Sequence, residues 1–183
     1  MKWFKNIKRF LYLKKLRFDV KSLPKTPREM INIGQAKRIG ILFDASHAED
    51  IITVTKYAES LSQKNKEVSI LSFQNNSEKE NSDPRFFNQL NVNWFNIPSH
   101  EKIDNFHRKN LDILIGAFVN ECLPLEYVAA TSNARCRVGA FNDSKSNYFE
   151  LMINTKKDDS LRYLLQQQLT HFYHLSFVIC FHS

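Results

Sequence analysis

Two short stretches of the chain combine side chains able to carry chemistry. Asp44, Ser46 and His47 put a carboxylate, a hydroxyl and an imidazole close together, and Asn120, Glu121 and Cys122 follow one another directly. Where the two stretches converge, Asp44 or Glu121 can act as general base with His47 as the acid, and the first amides of a helix opening near Ser46 favour an anion. Each residue also has a plain structural use. Ser46 and Glu49 fit the S-x-x-E capping box, in which hydroxyl and carboxylate satisfy the first helical N–H groups reciprocally. Asp44 can bond loop amides, and Asn120 can shape a turn. Asp44, Ser46, His47, Asn120 and Glu121 therefore stand as candidate ligand-binding residues for a phosphate- or sugar-containing molecule, and no residue is assigned as catalytic.

Other reactive types point less far. Cys122, Cys136 and Cys180 are odd in number and widely spaced, which fits reduced thiols better than a disulfide framework. No histidine can be paired with Cys122 from sequence, so the thiol reads as core filling. His100 with His107, and His171 with His174, lack companion ligands at metal-binding spacing, so no metal site and no cofactor are expected. Trp94 and Phe95 read as packing rather than a stacking platform. The chain has only four glycines, Gly34, Gly40, Gly116 and Gly139, too dispersed to build a phosphate-cradling loop, which excludes a P-loop or dinucleotide fingerprint.

The elements that must position these residues alternate in type. Ala36–Asp44, AKRIGILFD, is an apolar run expected as a buried parallel strand, and a helix is expected from His47 to Lys64 with Ile51, Val54, Tyr57, Ala58 and Leu61 on its inner face. Glu67–Phe73 reads as the second strand, 74–84 as a surface loop, and Asn91–Ile97 as a third strand stopped by Pro98. Leu111–Val119 is the most apolar run and is expected at the centre of the sheet. Pro124 opens a short helix, Arg135–Phe141 returns as a fifth strand, Tyr148–Ile153 is a sixth, and Asp159–His171 forms the last helix. This alternation predicts a three-layer α/β fold with an open, mostly parallel sheet of five or six strands, flavodoxin-like or Rossmann-like. Ligands of such sheets gather at the carboxyl ends of the strands where strand order reverses, which is why the loops after the first and central strands are singled out.

Positive charge is concentrated at one end. The chain of 183 residues carries a net +7, yet residues 1–38 hold twelve Lys or Arg against Asp19 and Glu29. Between Met1 and Arg17, Trp3, Phe4, Ile7, Phe10 and Leu11 fall within about 120° of a helical wheel, with Lys2, Lys5, Lys8, Arg9 and Lys15 on the remainder. Lys14 intrudes on the apolar arc, and Leu13 and Leu16 lie off it. Such a basic amphipathic helix can dock on protein, lie on an anionic membrane, or follow a phosphate backbone. KSLPKTPR, residues 21–28, reads as a linker because its prolines lack the N–H that helix or ladder needs. The chain thus divides into an arm with its linker, 1–28, and a single α/β domain, 29–183. With 43% hydrophobic and 25% charged residues it has globular composition. The charge-interrupted start carries no export signal, and the apolar stretch 175–181 is too short to span a bilayer. A cytoplasmic location is expected, extending to the inner face of the membrane.

NVNWFNIP, LDILIGAFVNECLPLEYVAATSNARCRVG and YFELMI, in this order, resemble an uncharacterised family of short α/β proteins from Bacteroidota, a domain of unknown function. The resemblance covers roughly residues 33–173. Family members look like this chain in their basic N-terminal helix, an IGILFDA-type first strand, and an acidic or polar residue after the fourth strand; the resemblance implies no established activity. The ending HLSFVICFHS is longer and more apolar than the resemblance implies. A lesser similarity links the LDILIGAFV unit to the acceptor half of heptosyltransferase-type glycosyltransferases, whose nucleotide-sugar half has no counterpart here, and shared fold does not transfer function. The leading reading is a non-enzymatic interaction protein held on a protein assembly or a membrane surface by Lys2, Trp3, Phe4, Lys5, Lys8, Arg9 and Lys15, with nucleic acid or the ribosome as a further partner class. The alternative is a small ligand-binding or enzyme domain using the carboxyl-end residues named above.

Overall fold

The computed structural model describes residues 2–24, 26–77, 82–141, 148–155 and 160–173. The elements run α1 (Lys2–Ser22), β1 (Arg38–Asp44), α2 (Ala48–Ser62), β2 (Glu67–Gln74), β3 (Phe86–Asn88), a short 3₁₀ turn (Gln89–Asn91), α3 (Glu101–His107), β4 (Ile113–Ala117), α4 (Leu123–Thr131), β5 (Cys136–Ala140), β6 (Leu151–Ile153) and α5 (Leu161–Tyr173). The six strands form one sheet in the order β3-β2-β1-β4-β5-β6, with every neighbouring pair parallel. Of the two general shapes expected, this order is the Rossmann one, with the reversal between β1 and β4.

Strands β4 and β5 are buried at every position because helices cover both faces of the sheet. The period of two along each strand sorts its side chains between the layers. Ile39, Ile41 and Phe43 of β1 pack with Val54, Leu61, Leu164 and Leu165 under α2 and α5. Leu42 of the same strand packs with Ile103, Phe106, Leu125 and Val128 under α3 and α4. Two of the glycines make room for Phe149 on this second face: a Cβ on Gly116 would lie 2.6 Å from Phe149 Cζ, and one on Gly139 2.6 Å from Phe149 Cε2. Phe149 lies over both strands because neither carries a side chain there.

A fourth layer lies outside α4. Tyr12 and Leu16 of α1 are buried with Ile97 and Ala130, and Leu13, Phe95, Leu123 and Tyr127 pack around them. This explains why LPLEYVAAT is apolar on almost all sides: α4 has the sheet on one face and α1 on the other. The arm therefore buries Tyr12 and Leu16, while Trp3 and Phe10 of the apolar arc read from the sequence remain 67% and 65% exposed. The segment that reads as a linker is also held down. Arg28 donates to the carbonyls of Ser132, at 3.1 Å, and Ala134, and Glu29 N donates to Arg135 O at 3.0 Å.

Three other expectations are corrected. Residues 91–97 are not a strand: Asn93 Oδ1 accepts from Phe95 N at 2.9 Å and Ile97 N at 3.1 Å, and Asn96 adopts φ 62°, so asparagine side chains fold the segment back on itself. The third strand is instead Phe86–Asn88, paired with Ser72–Gln74. A helix not expected from sequence, α3, follows Pro98, with His100 Nδ1 accepting from Lys102 N at 3.1 Å at its start. The last six-strand position begins at Leu151 rather than Tyr148. The apolar ending 174–183, with His174 and Cys180, lies outside the described residues.

Candidate functional site

The reversal of strand order places the ends of β1 and β4 side by side, so the loops after Asp44 and Ala117 are neighbours at the place where sheets of this order form their ligand crevice. In the first loop, Asp44 Oδ1 accepts from Ser46 N at 3.0 Å and from Ser46 Oγ at 2.5 Å. Ser46 Oγ in turn accepts from Asn75 N at 3.3 Å, tying the loop to the end of β2. The expected Ser46–Glu49 capping box is therefore not formed, and the N-cap of α2 is His47, which makes no side-chain cap. The physical reason is that the hydroxyl already has both roles filled outside the helix: it donates to Asp44 Oδ1 and accepts from Asn75 N. Glu49 and Asp50 occupy the first turn of α2, where the helix dipole favours negative charge. Burial raises the Asp50 carboxyl above its ordinary value, opposed by His47 and reinforced by Asp44 and Glu49. This gathering of carboxylates around the helix start opposes a second negative charge.

In the second loop Asn120 and Glu121 are exposed and Cys122 is buried. Glu121 is engaged from outside the crevice, by the guanidinium of Arg9 on α1. The sheet thus brings Asp44 and Ser46 into direct contact and leaves His47 exposed beside them, while Glu121 faces the arm. Cys136 is a buried thiol pushed up to about 11 by its burial, which suits packing and not nucleophilic attack. A cavity of about 490 Å³ lies at the outer edge of β2 between α2 and α3, lined by Glu59, Val68, Ile70, Lys102, Phe106 and their neighbours, away from the crevice. Among the described residues no three His, Cys, Asp or Glu side chains come together as a metal site.

The contacts of α1 are built differently. Its inward face carries Arg9, Tyr12, Leu16 and Asp19 at helical spacing. Tyr12 Oη donates to Leu123 O at 2.9 Å, at the first residue of α4, and burial raises that phenol far above its ordinary value. Tyr127 Oη donates to Asp19 Oδ2 at 2.6 Å, and Lys15 Nζ holds Asp19 Oδ1 at 2.5 Å. Lys8 Nζ sits 5.1 Å from the centre of the Trp94 ring, a cation–π contact. Of the expected surface-binding residues, Lys8, Arg9 and Lys15 therefore meet groups of this same chain, Trp3 is exposed, and only the backbone of Lys2, Phe4 and Lys5 is described. The outward face holds residues the sequence reading passed over for this role: Phe10, Phe18 at 68% exposure, Lys14, Arg17 and Lys21. The signal available for them was the recurrence of aromatic and basic residues at positions 3, 10, 14, 17 and 21, one side of a helix. A second signal was the all-round apolarity of α4, which required a cover. Among the described residues no helix is long and apolar enough to cross a membrane.

No curated protein and no solved structure matches the chain. Residues 8–172, from within α1 to within α5, match a family described as one of unknown function, DUF6913, and the chain belongs to that family.

Proposed function

We propose that this protein is a non-enzymatic interaction module whose α/β domain holds a basic helix rigidly at its surface, for docking on a protein assembly or a membrane surface. One observation carries this reading: α1 is fixed through Tyr12 and Leu16, which are each 1% exposed, while the opposite face of the same helix presents Trp3, Phe10 and Phe18 at 65–68% exposure. A helix anchored only to complete the domain has no need of three large apolar side chains in water, and clustered exposed apolar surface marks interaction sites. The domain supplies rigidity, so docking requires no coil-to-helix ordering. The cytoplasm, including the inner face of its membrane, suits such a module.

The test is fractionation of gently lysed cells expressing the full chain or the variant W3S/F10S/F18S, whose changes lie on exposed positions. Sedimentation of the full chain with an assembly or membrane fraction, and a soluble variant, is the expected result. Equal behaviour of the two chains overturns the reading.

A second reading rests on the strand-order reversal between β1 and β4, the place where Rossmann-like sheets bind ligands. In it Asp44, Ser46, His47, Asn120 and Glu121 receive a phosphate- or sugar-containing molecule. Thermal denaturation against a panel of nucleotides and sugar phosphates tests it, because a ligand at a hundred times its Kd adds about 2.7 kcal/mol. No rise in melting temperature across the panel removes it.

A further inference from the structure

Resting on the interaction reading, we infer that the surface met by α1 is an anionic lipid bilayer. At 100° per residue, Trp3, Phe10, Lys14, Arg17, Phe18 and Lys21 fall within about 100° of arc, and residues 3 to 21 cover roughly 27 Å of helix length. All six are exposed, Trp3, Phe10 and Phe18 by 67%, 65% and 68%. The helix carries a single acidic residue, Asp19, and it is turned inward onto Tyr127 and Lys15. Among the described residues no ion pair involves Lys14, Arg17 or Lys21, so their charge is presented outward.

The arrangement of these residues separates lipid from protein as the occupant. A protein interface concentrates its apolar groups in a dry centre from which lysine is depleted. Here Lys14, Arg17 and Lys21 lie on the same side as Trp3 and Phe10, so the outward face of the helix offers no dry apolar centre. At the headgroup level of a bilayer the same mixture is favourable. Aromatic rings sit at the boundary between headgroups and acyl chains, and long basic side chains lay their stems along it while their charges meet lipid phosphates and carboxylates. Trp94, 53% exposed beside α1 with Lys8 against its ring, widens the aromatic surface at the flank of the helix.

The experiment is cosedimentation of the full chain with vesicles of phosphatidylcholine alone or mixed with phosphatidylserine, at low and high salt. It is repeated for W3S/F10S/F18S and K14A/R17A/K21A, whose folding is checked by circular dichroism. The wild-type chain is expected to pellet with the mixed vesicles only, less at high salt. Removing three cations is expected to weaken binding on the order of a hundredfold, about fivefold for each. In a Trp94→Phe background, Trp3 fluorescence shifts to the blue on binding. Absence of binding to the mixed vesicles, or binding that neither variant weakens, overturns the lipid assignment. If vesicles fail while the cellular fractionation still depends on Trp3, Phe10 and Phe18, the lipid assignment falls, the occupant is a protein assembly, and the broader reading stands. If both fail, both readings fall together.

Discussion

The crevice at the carboxyl ends of β1 and β4 and the outward face of α1 both hold residues able to act on other molecules, and they differ in where those residues are already engaged. In the crevice, Asp44 accepts two bonds from Ser46, Ser46 accepts one from Asn75, and Glu121 is taken by Arg9. On α1 Arg9, Tyr12, Leu16 and Asp19 are engaged on the inner face and Lys15 Nζ lies 5.8 Å from the centre of the Phe18 ring, while Trp3, Phe10, Phe18 and the cations Lys14, Arg17 and Lys21 stay exposed on the outer face. Residue types that look equally reactive in sequence are thus separated by their partners. A polar group satisfied inside the chain must give up that bond before it can serve a ligand, whereas an exposed ring gains by being covered.

The sharpest way to break the comparison is to detach the helix. Leu16→Ala removes a side chain that is 1% exposed beneath α1 and is expected to cost about 2–5 kcal/mol. Hydrogen exchange should show protection lost first in α1 and kept in β1 and β4, because the helix packs outside the two sheet cores. If the sheet opens together with α1, the helix is part of the domain core and its outer face is merely the surface of that core. The crevice answers to smaller changes. Ser46→Ala removes a hydroxyl bonded to Asp44 at 2.5 Å and is expected to cost about 1 kcal/mol in urea denaturation. Vesicle binding should be unchanged by it. A loss of vesicle binding in Ser46→Ala would mean that the two regions are coupled.

How much of this was legible follows from local physics. The strands β1 and β4 were readable because uninterrupted apolar runs bounded by polar residues have few other stable fates in a chain of this length, and β2 was readable from the alternation of Val68 and Ile70. Phe86–Asn88 was not, since three residues carry too little periodicity to separate a strand from a loop. The segment 91–97 alternated like a strand, but its asparagines offered the backbone local hydrogen bonds that a ladder could not match. The α1 helix itself was legible, and which face it buries was not. It carries two apolar stripes, one through Trp3 and Phe10 and one through Tyr12 and Leu16, and only the shape of α4 and the loop at Ile97 decides between them. Strand alternation nominated the loops after the first and central strands, whereas the strand order that makes β1 and β4 neighbours at the reversal and the engagement of Glu121 by an arm 112 residues away are tertiary facts.

Acid tests the support beneath the arm. His107 on α3 sits with Nε2 3.1 Å from Val128 O of α4, and burial lowers its pKa from the ordinary 6.5, against the partial opposition of that carbonyl and Asp104. The unfolded chain therefore takes up a proton at this position before the folded one does. Stability is expected to fall as pH drops below about 6.5 and to level off once the folded value is passed. His107→Gln should flatten that part of the profile in denaturation at stepped pH. A profile unchanged by the substitution would place the titrating group elsewhere.

Glu121 belongs to both regions, and its substitution sharpens the comparison most finely. It stands on the loop after β4, where a crevice ligand would meet it, and it pairs with Arg9 on the arm. Both side chains are about half exposed, 46% for Arg9 and 51% for Glu121, so solvent and salt screen the pair. A double-mutant cycle with Arg9→Ala and Glu121→Ala is expected to give a coupling of at most about 1 kcal/mol, shrinking at high salt. A larger coupling that salt does not reduce would mean that the pair is shielded when the protein is in solution, as it would be if α1 closed over the β4 loop and sealed the crevice. With the small coupling, Glu121 orients the helix without closing anything, and the crevice and the outer face of α1 remain independently accessible on one molecule.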